Sequence, residues 1–326
     1  MSSFLVNHDG TVSTGVRADS LRRLLEEGGP FWLDLQSPDQ AELALLSDVF
    51  AFHPLAVEDA HNFGQRPKLE DYDDFVFLVL YGAVPGPGAV EEALVEVHCF
   101  FSRTCLVTVH REDCPAFAGL RARHERRHLP VSDQTALLYR MADGLVDSFF
   151  TVLNSYDDRV DALQDDILLQ PREEQLGRLF DMKRDLLALR RVLGPQRDLF
   201  ASLLAGGSEL PGLTQEGQRY FRDVYDHLIR LGDLTDSYRD LVNGAMDVYL
   251  STVSNRLNQV MKQLTIIATV FLPLSFLTGF FGQNFGFLVG NIAGLPVFVG
   301  VGIGTELVAA IGLLALFRRR GWLTLG

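Results

Sequence analysis

The sequence predicts an α/β domain at the N-terminus, long α-helices after it, and two membrane-spanning helices near the C-terminus. Three observations carry this. Residues 263–305 hold no charged side chain, and the short polar turn Gly282-Gln283-Asn284 there is flanked by two apolar segments. From about residue 131 onward, helical periodicity runs for long stretches with few breakers. The first 130 residues instead alternate short apolar runs with amphipathic ones.

Residues 1–130 form the predicted α/β domain, read as cytoplasmic. Strands are expected at 31–35, 75–81, 95–101 and 105–110, the last two joined by a turn at Ser102-Arg103, with helices at 20–27 and 39–50 between them. The Pro-Gly-Pro-Gly run at 85–88 is a loop. The sheet is expected to be mixed. Cys99, Cys105 and Cys114 include no CxxC pair, which suits a reducing compartment. His98 and His110 lie near them, but strand alternation sends His98 and Cys99 to opposite faces and argues against a zinc site. Residues 121–128 are the one basic cluster of the body and read as a solvated helix face. With a formal net charge of −13, the body is a poor nucleic-acid binder, and no nucleic-acid partner is expected.

Residues 131–211 are expected to form a helical hairpin with acidic helices, 133–170 and then 171–204, the second opened by Pro171 in its first turn. Asp157, Asp161 and Asp165 recur every four residues with Asp158 and Asp166 beside them, an acidic face whose simplest reading is solvation. Residues 212–281 then read as one stalk helix capped by Thr214, about 100 Å long at roughly 1.5 Å per residue. A cytosolic rod continuous with a membrane span can transmit movement mechanically. The first span, 264–281, is 18 residues and about 27 Å, close to the bilayer's hydrocarbon thickness. The loop 282–294 and a second span at 295–317 follow, and a basic tail, 318–326, closes the chain.

Lys262 precedes the first span and Arg318, Arg319 and Arg320 follow the second, while the loop between carries no charge. Cationic flanks stay on the cytoplasmic side, so both termini are expected there, in a multi-pass protein of the inner or plasma membrane. Residues 1–12 lack a secretory pattern. Within the first span's helix, Asn258, Met261, Leu264, Ala268, Leu272, Ser275 and Gly279 follow one another at steps of three or four, a stripe on one face. Around symmetric copies it would line an axis, with apolar constrictions at Met261, Leu264 and Leu272. Close packing through small residues gives the same periodicity, and periodicity leaves both readings open.

Several segments resemble the CorA family of divalent-cation channels: VSNRLNQVMK at 253–262, LTIIAT at 264–269, FFGQNF at 280–285, YFRDVYDH at 220–227, QRPK at 65–68 and RGWL at 320–323. The resemblance implies a funnel-shaped homopentamer whose five long helices surround a pore. It implies Mg2+ as cargo, with Co2+ and Ni2+ accepted, and Mg2+ as regulator. Gly282, Gln283 and Asn284 take the place of the family's Gly-x-Asn selectivity motif, with Asn284 carboxamides facing a hydrated ion and Gly282 allowing a tight turn. Asp59 and Asp223 match residues that bind Mg2+ between neighbouring subunits, and Glu58 is a candidate for a second site.

Three features depart from the family pattern. Gln283 stands where Met is usual in the family, and variants at that position also occur in zinc-transporting relatives. Residues 285–294 carry no acid. Glu306 interrupts the second span, where a charged carboxylate costs about 3 kcal/mol. The expected function is a passive, potential-driven Mg2+ channel closed by cytosolic Mg2+. The alternative is a zinc or other transition-metal transporter of the same superfamily, with Glu306 suiting proton coupling. An enzyme is not expected, since no Gly-rich phosphate loop, Gly-x-Ser-x-Gly elbow or His-Glu-x-x-His motif occurs. A membrane-tethered scaffold is the remaining reading, and it leaves the polar stripe without a purpose.

Overall fold

In the computed structural model the described residues are 2–84, 90–127, 129–131, 133–207, 209–283, 286, 290 and 294–322. They fall into two compact units, Met1–Asp247 and Val248–Gly326. The loop expected at 85–88 lies outside the described residues, as does Asn284.

In the first unit, seven strands among the described residues form one sheet: β1 (Ser2–Val6), β2 (Val12–Thr14), β3 (Phe31–Gln36), β4 (Lys68–Asp71), β5 (Val76–Ala83), β6 (Leu94–Phe101) and β7 (Cys105–His110), in the order β2-β1-β3-β7-β6-β5-β4. Only β3 and β7 pair in parallel, with Leu33 opposite Val107. The sheet is mixed, as expected. Every residue of β5 and β7 is buried, so both sheet faces are covered.

β1, β2 and β4 were not legible from the alternation pattern. β1 and β2 close a hairpin too short to show a period, tightened by Gly10 and by the Thr11 amide donating to Asp9 Oδ1. β4 is Lys-Leu-Glu-Asp, a charged edge strand with no apolar alternation. The helix expected from residue 39 begins at Gln40 as α2 (Gln40–Asp48), because Asp39 serves as its cap and exchanges bonds with Glu42 in a capping box. It follows α1 (Ala18–Glu27). The short α3 (Pro54–His61) and α4 (Val90–Ala93) come next, then α5 (Pro115–Arg127), which carries most of the basic cluster.

α6 (Gln134–Leu169) buries Leu138, Met141, Leu145, Phe149, Leu153, Tyr156, Val160, Leu163 and Ile167, one face at helical spacing. Its start is set by Asp133, whose carboxylate accepts from the Thr135 and Ala136 amides. α7 (Glu173–Leu204) starts two residues beyond Pro171, where the Arg172 amide donates to Gln175 Oε1. Gly82 lets α6 come close to the sheet, since a Cβ there would stand 2.8 Å from Leu145 Cδ2. β4 pairs β5 only as far as Val79, and the helices complete β5's ladder beyond that point. Gln196 of α7 accepts from the Tyr81 amide at 2.7 Å and donates to its carbonyl at 3.2 Å, and Ser148 of α6 accepts from the Ala83 amide.

α8 (Gln215–Phe281) is a single helix of 67 residues, with Thr214 Oγ1 accepting from the Gly217 amide as its cap. Its residues up to Asp247 belong to the first unit and the remainder to the second. The second unit is completed by α9 (Leu295–Arg319), which has a π-helical turn at Phe298–Ile303. The membrane-crossing windows of both helices are apolar and carry no buried residues, with mean hydropathies of 2.0 and 2.1.

Candidate cation sites

Helical spacing assembles a cluster on two helices of the first unit. Asp143 and Asp147 stand four residues apart on α6, and Asp223 and His227 four apart on α8, so each pair shares a helical face. His227 Nδ1 lies 3.2 Å from Asp147 Oδ1 and 3.9 Å from Asp143 Oδ1, and its Nε2 is 4.0 Å from Asp223 Oδ1. Ligand atoms of Asp143, Asp147 and His227 all fall within 4.8 Å of one another. Asp143 Oδ1 and His227 Nδ1 are shielded from solvent, and among the described residues neither has a partner in hydrogen-bonding geometry, the contacts of His227 with the two carboxylates being ionic. Burial, and then the charge of Asp147, push the Asp143 carboxyl above the usual carboxylate range, with His227 opposing. Tyr139 borders the cluster and its phenol is pushed up by burial, then by Asp143 and Asp223.

A buried carboxylate oxygen without a donor, among like charges, is a position that a cation satisfies. The carboxylates fit Mg2+, which keeps several waters and takes one or two carboxylates directly. The imidazole suits Co2+, Ni2+ or Zn2+ better than Mg2+. Asp143, Asp147 and His227 were not singled out from the sequence. The available signal was the two i, i+4 pairs, and nothing in a linear pattern places α6 against α8.

Asp59, near the C-terminal end of α3, is engaged elsewhere. Its Oδ2 accepts from Lys68 Nζ at 2.6 Å, and the same ammonium reaches Glu70 Oε1 at 2.7 Å. Burial pulls the Lys68 ammonium down, but its bonds to Asp59 and Glu70 outweigh this and its pKa is raised. Glu58 beside it is exposed. Among the described residues neither Asp59 nor Glu58 joins a cluster of three ligand side chains, whereas Asp223 lies beside His227 of the cluster and its charge acts on Asp143.

The strand-borne histidine and cysteines hold no such cluster among the described residues. His98 Nε2 bonds Glu96 Oε1 at 2.6 Å, and burial pushes all three thiols up, that of Cys105 to about 11, which keeps them protonated.

In the second unit, Asn258, Met261, Leu264, Ala268, Leu272, Ser275 and Gly279 are all exposed on α8, with Met261 and Leu264 at 59% and Leu272 at 74%. Among the described residues, that face has no partner within one chain. At the end of α8 the Gly282 amide donates to the Thr278 carbonyl and the Gln283 amide to that of Phe280. Gly282 does not adopt the left-handed φ that a tight turn would demand. Its lack of a side chain serves spacing instead, because a Cβ would stand 3.2 Å from the Thr278 carbonyl oxygen. Glu306 is hydrogen-bonded across to the first span, at 2.7 Å from Thr278 Oγ1.

Comparison with known proteins bears on the whole chain. Residues 27–319 match the family described as CorA-like Mg2+ transporter protein. A cobalt/magnesium transport protein CorA of Thermotoga maritima is 34% identical over 94% of this chain and 87% of its own length. A zinc transport protein ZntB of Pectobacterium carotovorum is 26% identical over 90% of this chain and 88% of its own. The solved CorA magnesium transporter of Methanocaldococcus jannaschii superposes with a TM-score of 0.83 at 21% identity, covering 99% of each chain.

Proposed function

The chain belongs to the CorA-like Mg2+ transporter family and is a divalent-cation transporter of membranes, not an enzyme; from that premise we propose that it is a homopentameric, potential-driven Mg2+ channel held shut by cytosolic Mg2+. The observation that carries the reading is α8 itself. One unbroken helix bears Asp223 and His227 of the cation cluster and, further along, the exposed stripe from Asn258 to Gly279. An exposed stripe of small, polar and apolar groups, most of it in the charge-free segment after Lys262, is what five copies around an axis would enclose.

A dication entering down the potential gains about 4.6 kcal/mol per 100 mV, twice the single-charge figure. No energy source beyond the potential is then needed. Asn284 carboxamides would hydrogen-bond the water shell of Mg2+ without stripping it, since Mg2+ sheds water reluctantly. For the regulatory ion, Asp143, Asp147 and Asp223 would hold a hydrated Mg2+ and cancel their mutual repulsion. Asp59 would contribute from a neighbouring subunit. To do so it has to exchange Lys68 for the cation, and Glu58 would assist. Both termini lie in the cytoplasm in this reading, and the protein resides in the inner or plasma membrane.

A second reading, a zinc or other transition-metal transporter of the same superfamily, is favoured by His227 in the cluster and by Gln283 in the motif. Purified protein in proteoliposomes separates the two. Potential-driven Mg2+ entry that is lost in Asn284→Ala supports the channel, whereas no Mg2+ entry together with Zn2+ entry that follows a proton gradient supports the alternative. An Asp59→Ala, Asp223→Ala protein that still closes normally at high Mg2+ refutes the regulatory part.

A further inference from the structure

The first unit holds a cavity of about 730 Å3 bounded by segment 63–67, the residues that follow β7 and one face of α7. That volume falls within the roughly 300–1,000 Å3 of sites that take small organic molecules. Helical spacing makes one wall: Ala188, Arg191, Val192 and Pro195 stand at steps of three or four on α7, so a largely apolar strip with one guanidinium faces the cavity.

A second wall is held in place by a buried acid. Glu96 Oε1 accepts from the Gln65 amide at 3.0 Å and lies 2.6 Å from His98 Nε2, while Oε2 accepts from the Gly64 amide. Burial pushes the Glu96 carboxyl up, but its bonds to His98 and the Gly64 amide outweigh this and lower it, so it is ionised and already engaged on both oxygens. These bonds fix the backbone that presents Phe63 and Arg66. Phe63 stacks on the buried His98 ring at 4.6 Å, and the Arg111 guanidinium lies 4.2 Å from the Phe63 centroid.

Elsewhere in this unit arginines find acids: Arg121, Arg184, Arg190, Arg197 and Arg239 each reach a carboxylate at 2.6 to 3.2 Å. Among the described residues the side chains of Arg66 and Arg111 reach none. Arg111 is thus placed by stacking, which leaves the hydrogen-bonding edge of its guanidinium unclaimed by any acid there. Among the described lining residues the acids are Glu96 and the exposed Glu112. In a chain of net charge −13, a cavity with this excess of guanidinium groups is built for an anion.

We propose that this cavity binds a phosphorylated organic anion of nucleotide size, its phosphate held by Arg66 and Arg111 and its organic body by the apolar strip of α7. A phosphate monoester carries about 1.5 to 2 negative charges at pH 7 and offers a guanidinium two oxygens at once, where a carboxylate brings a single charge. Segment 63–67 runs directly into Lys68, which holds Asp59, so the occupant rests against the chain that leads to that pair. The proposal concerns binding alone and stands apart from the transport reading.

Isothermal titration calorimetry of the full chain in detergent, with chelator present so that the probe carries no Mg2+, tests it. The probe is adenosine monophosphate, with adenosine and inorganic phosphate as controls. Adenosine monophosphate is expected to bind, and more weakly as salt is raised, with each control weaker by about tenfold or more. Arg66→Ala and Arg111→Ala are each expected to weaken it about tenfold. Both side chains are exposed and reach no acid among the described residues, so the melting temperature without ligand should stay at the wild-type value. No binding at about millimolar adenosine monophosphate overturns the proposal. So does a control that binds as tightly as the nucleotide, or full affinity in both variants.

Discussion

Asp143→Asn makes two opposite changes, and their combination is diagnostic. Asp143 is the more buried of the two acids that α6 gives to the cluster, and its carboxyl is pushed up by burial and then by Asp147, with His227 too weak to offset them. A folded-state pKa above the unfolded one means that, once pH exceeds both, the ionised form works against folding. Two carboxylates 4.8 Å apart, the widest separation the cluster allows, repel by about 3.5 kcal/mol at an effective dielectric of ~20 and about 0.9 kcal/mol in bulk water. Asp147 has half its side chain in solvent, which discounts the interaction to about 1–2 kcal/mol. Without divalent cations, Asp143→Asn is therefore expected to raise the midpoint of thermal unfolding, by about 2–8 °C at ~2–4 °C per kcal/mol. Mg2+ reverses the order. At a hundredfold excess over its dissociation constant it adds about 2.7 kcal/mol to the wild type, whereas the amide removes the anionic oxygen the ion needs. Scanning fluorimetry of the detergent-solubilised protein, with chelator and across a Mg2+ series, reads both effects. A variant that melts below wild type in chelator, or that keeps the full Mg2+ shift, refutes the assignment of Asp143 to a cation site.

Three other changes have outcomes set by named contacts. His227→Ala is expected to weaken Co2+-dependent stabilisation about tenfold in apparent affinity, roughly 1.4 kcal/mol, and to shift the Mg2+ response by less than about threefold; parallel titrations followed by melting decide this. Gln196→Leu leaves the buried Tyr81 amide and carbonyl unpaired, at about 1–3 kcal/mol for each group, and is expected to lower the denaturant midpoint without abolishing helicity. His110 lies between the Glu112 carbonyl and Asp34 Oδ1; burial lowers its pKa, but its bond to Asp34 and the charge there prevail and raise it above 6.5. The stabilisation it gives is then full below about pH 6.5 and is lost as pH rises through the raised value, so a wild-type unfolding series should decline over that window and His110→Gln should lack the decline.

How much of this was legible beforehand depends on the range of the interaction. The spans, the strands at 95–101 and 105–110 and the cap at Thr214 come from local pattern, because burial in a bilayer or a two-sided sheet imposes a period on neighbouring residues. β4 escaped because an edge strand of charged residues has no apolar alternation to display. α3 escaped because it is eight residues long, opened by Pro54 and by His53 Nδ1 accepting from the Leu55 amide. Among the site residues, Asp223 was marked by a family motif, but its setting was not. The tie of Asp59 to Lys68 runs from α3 to β4 across a turn, and no spacing rule announces it.

The sequence by itself determined the class of molecule: an acidic α/β body, one very long helix, two spans with cationic flanks, and the family that those segments resemble. Periodicity and hydropathy are one-dimensional, and a chain that must bury a face or cross hydrocarbon writes them into consecutive residues. Only the tertiary structure decided which charges share a space. Asp143 and Asp147 are about eighty residues from Asp223 and His227, and Glu306 is twenty-eight from Thr278. Such contacts depend on helix packing and register, and a shift of one residue rotates a side chain by about 100° and removes it from the site.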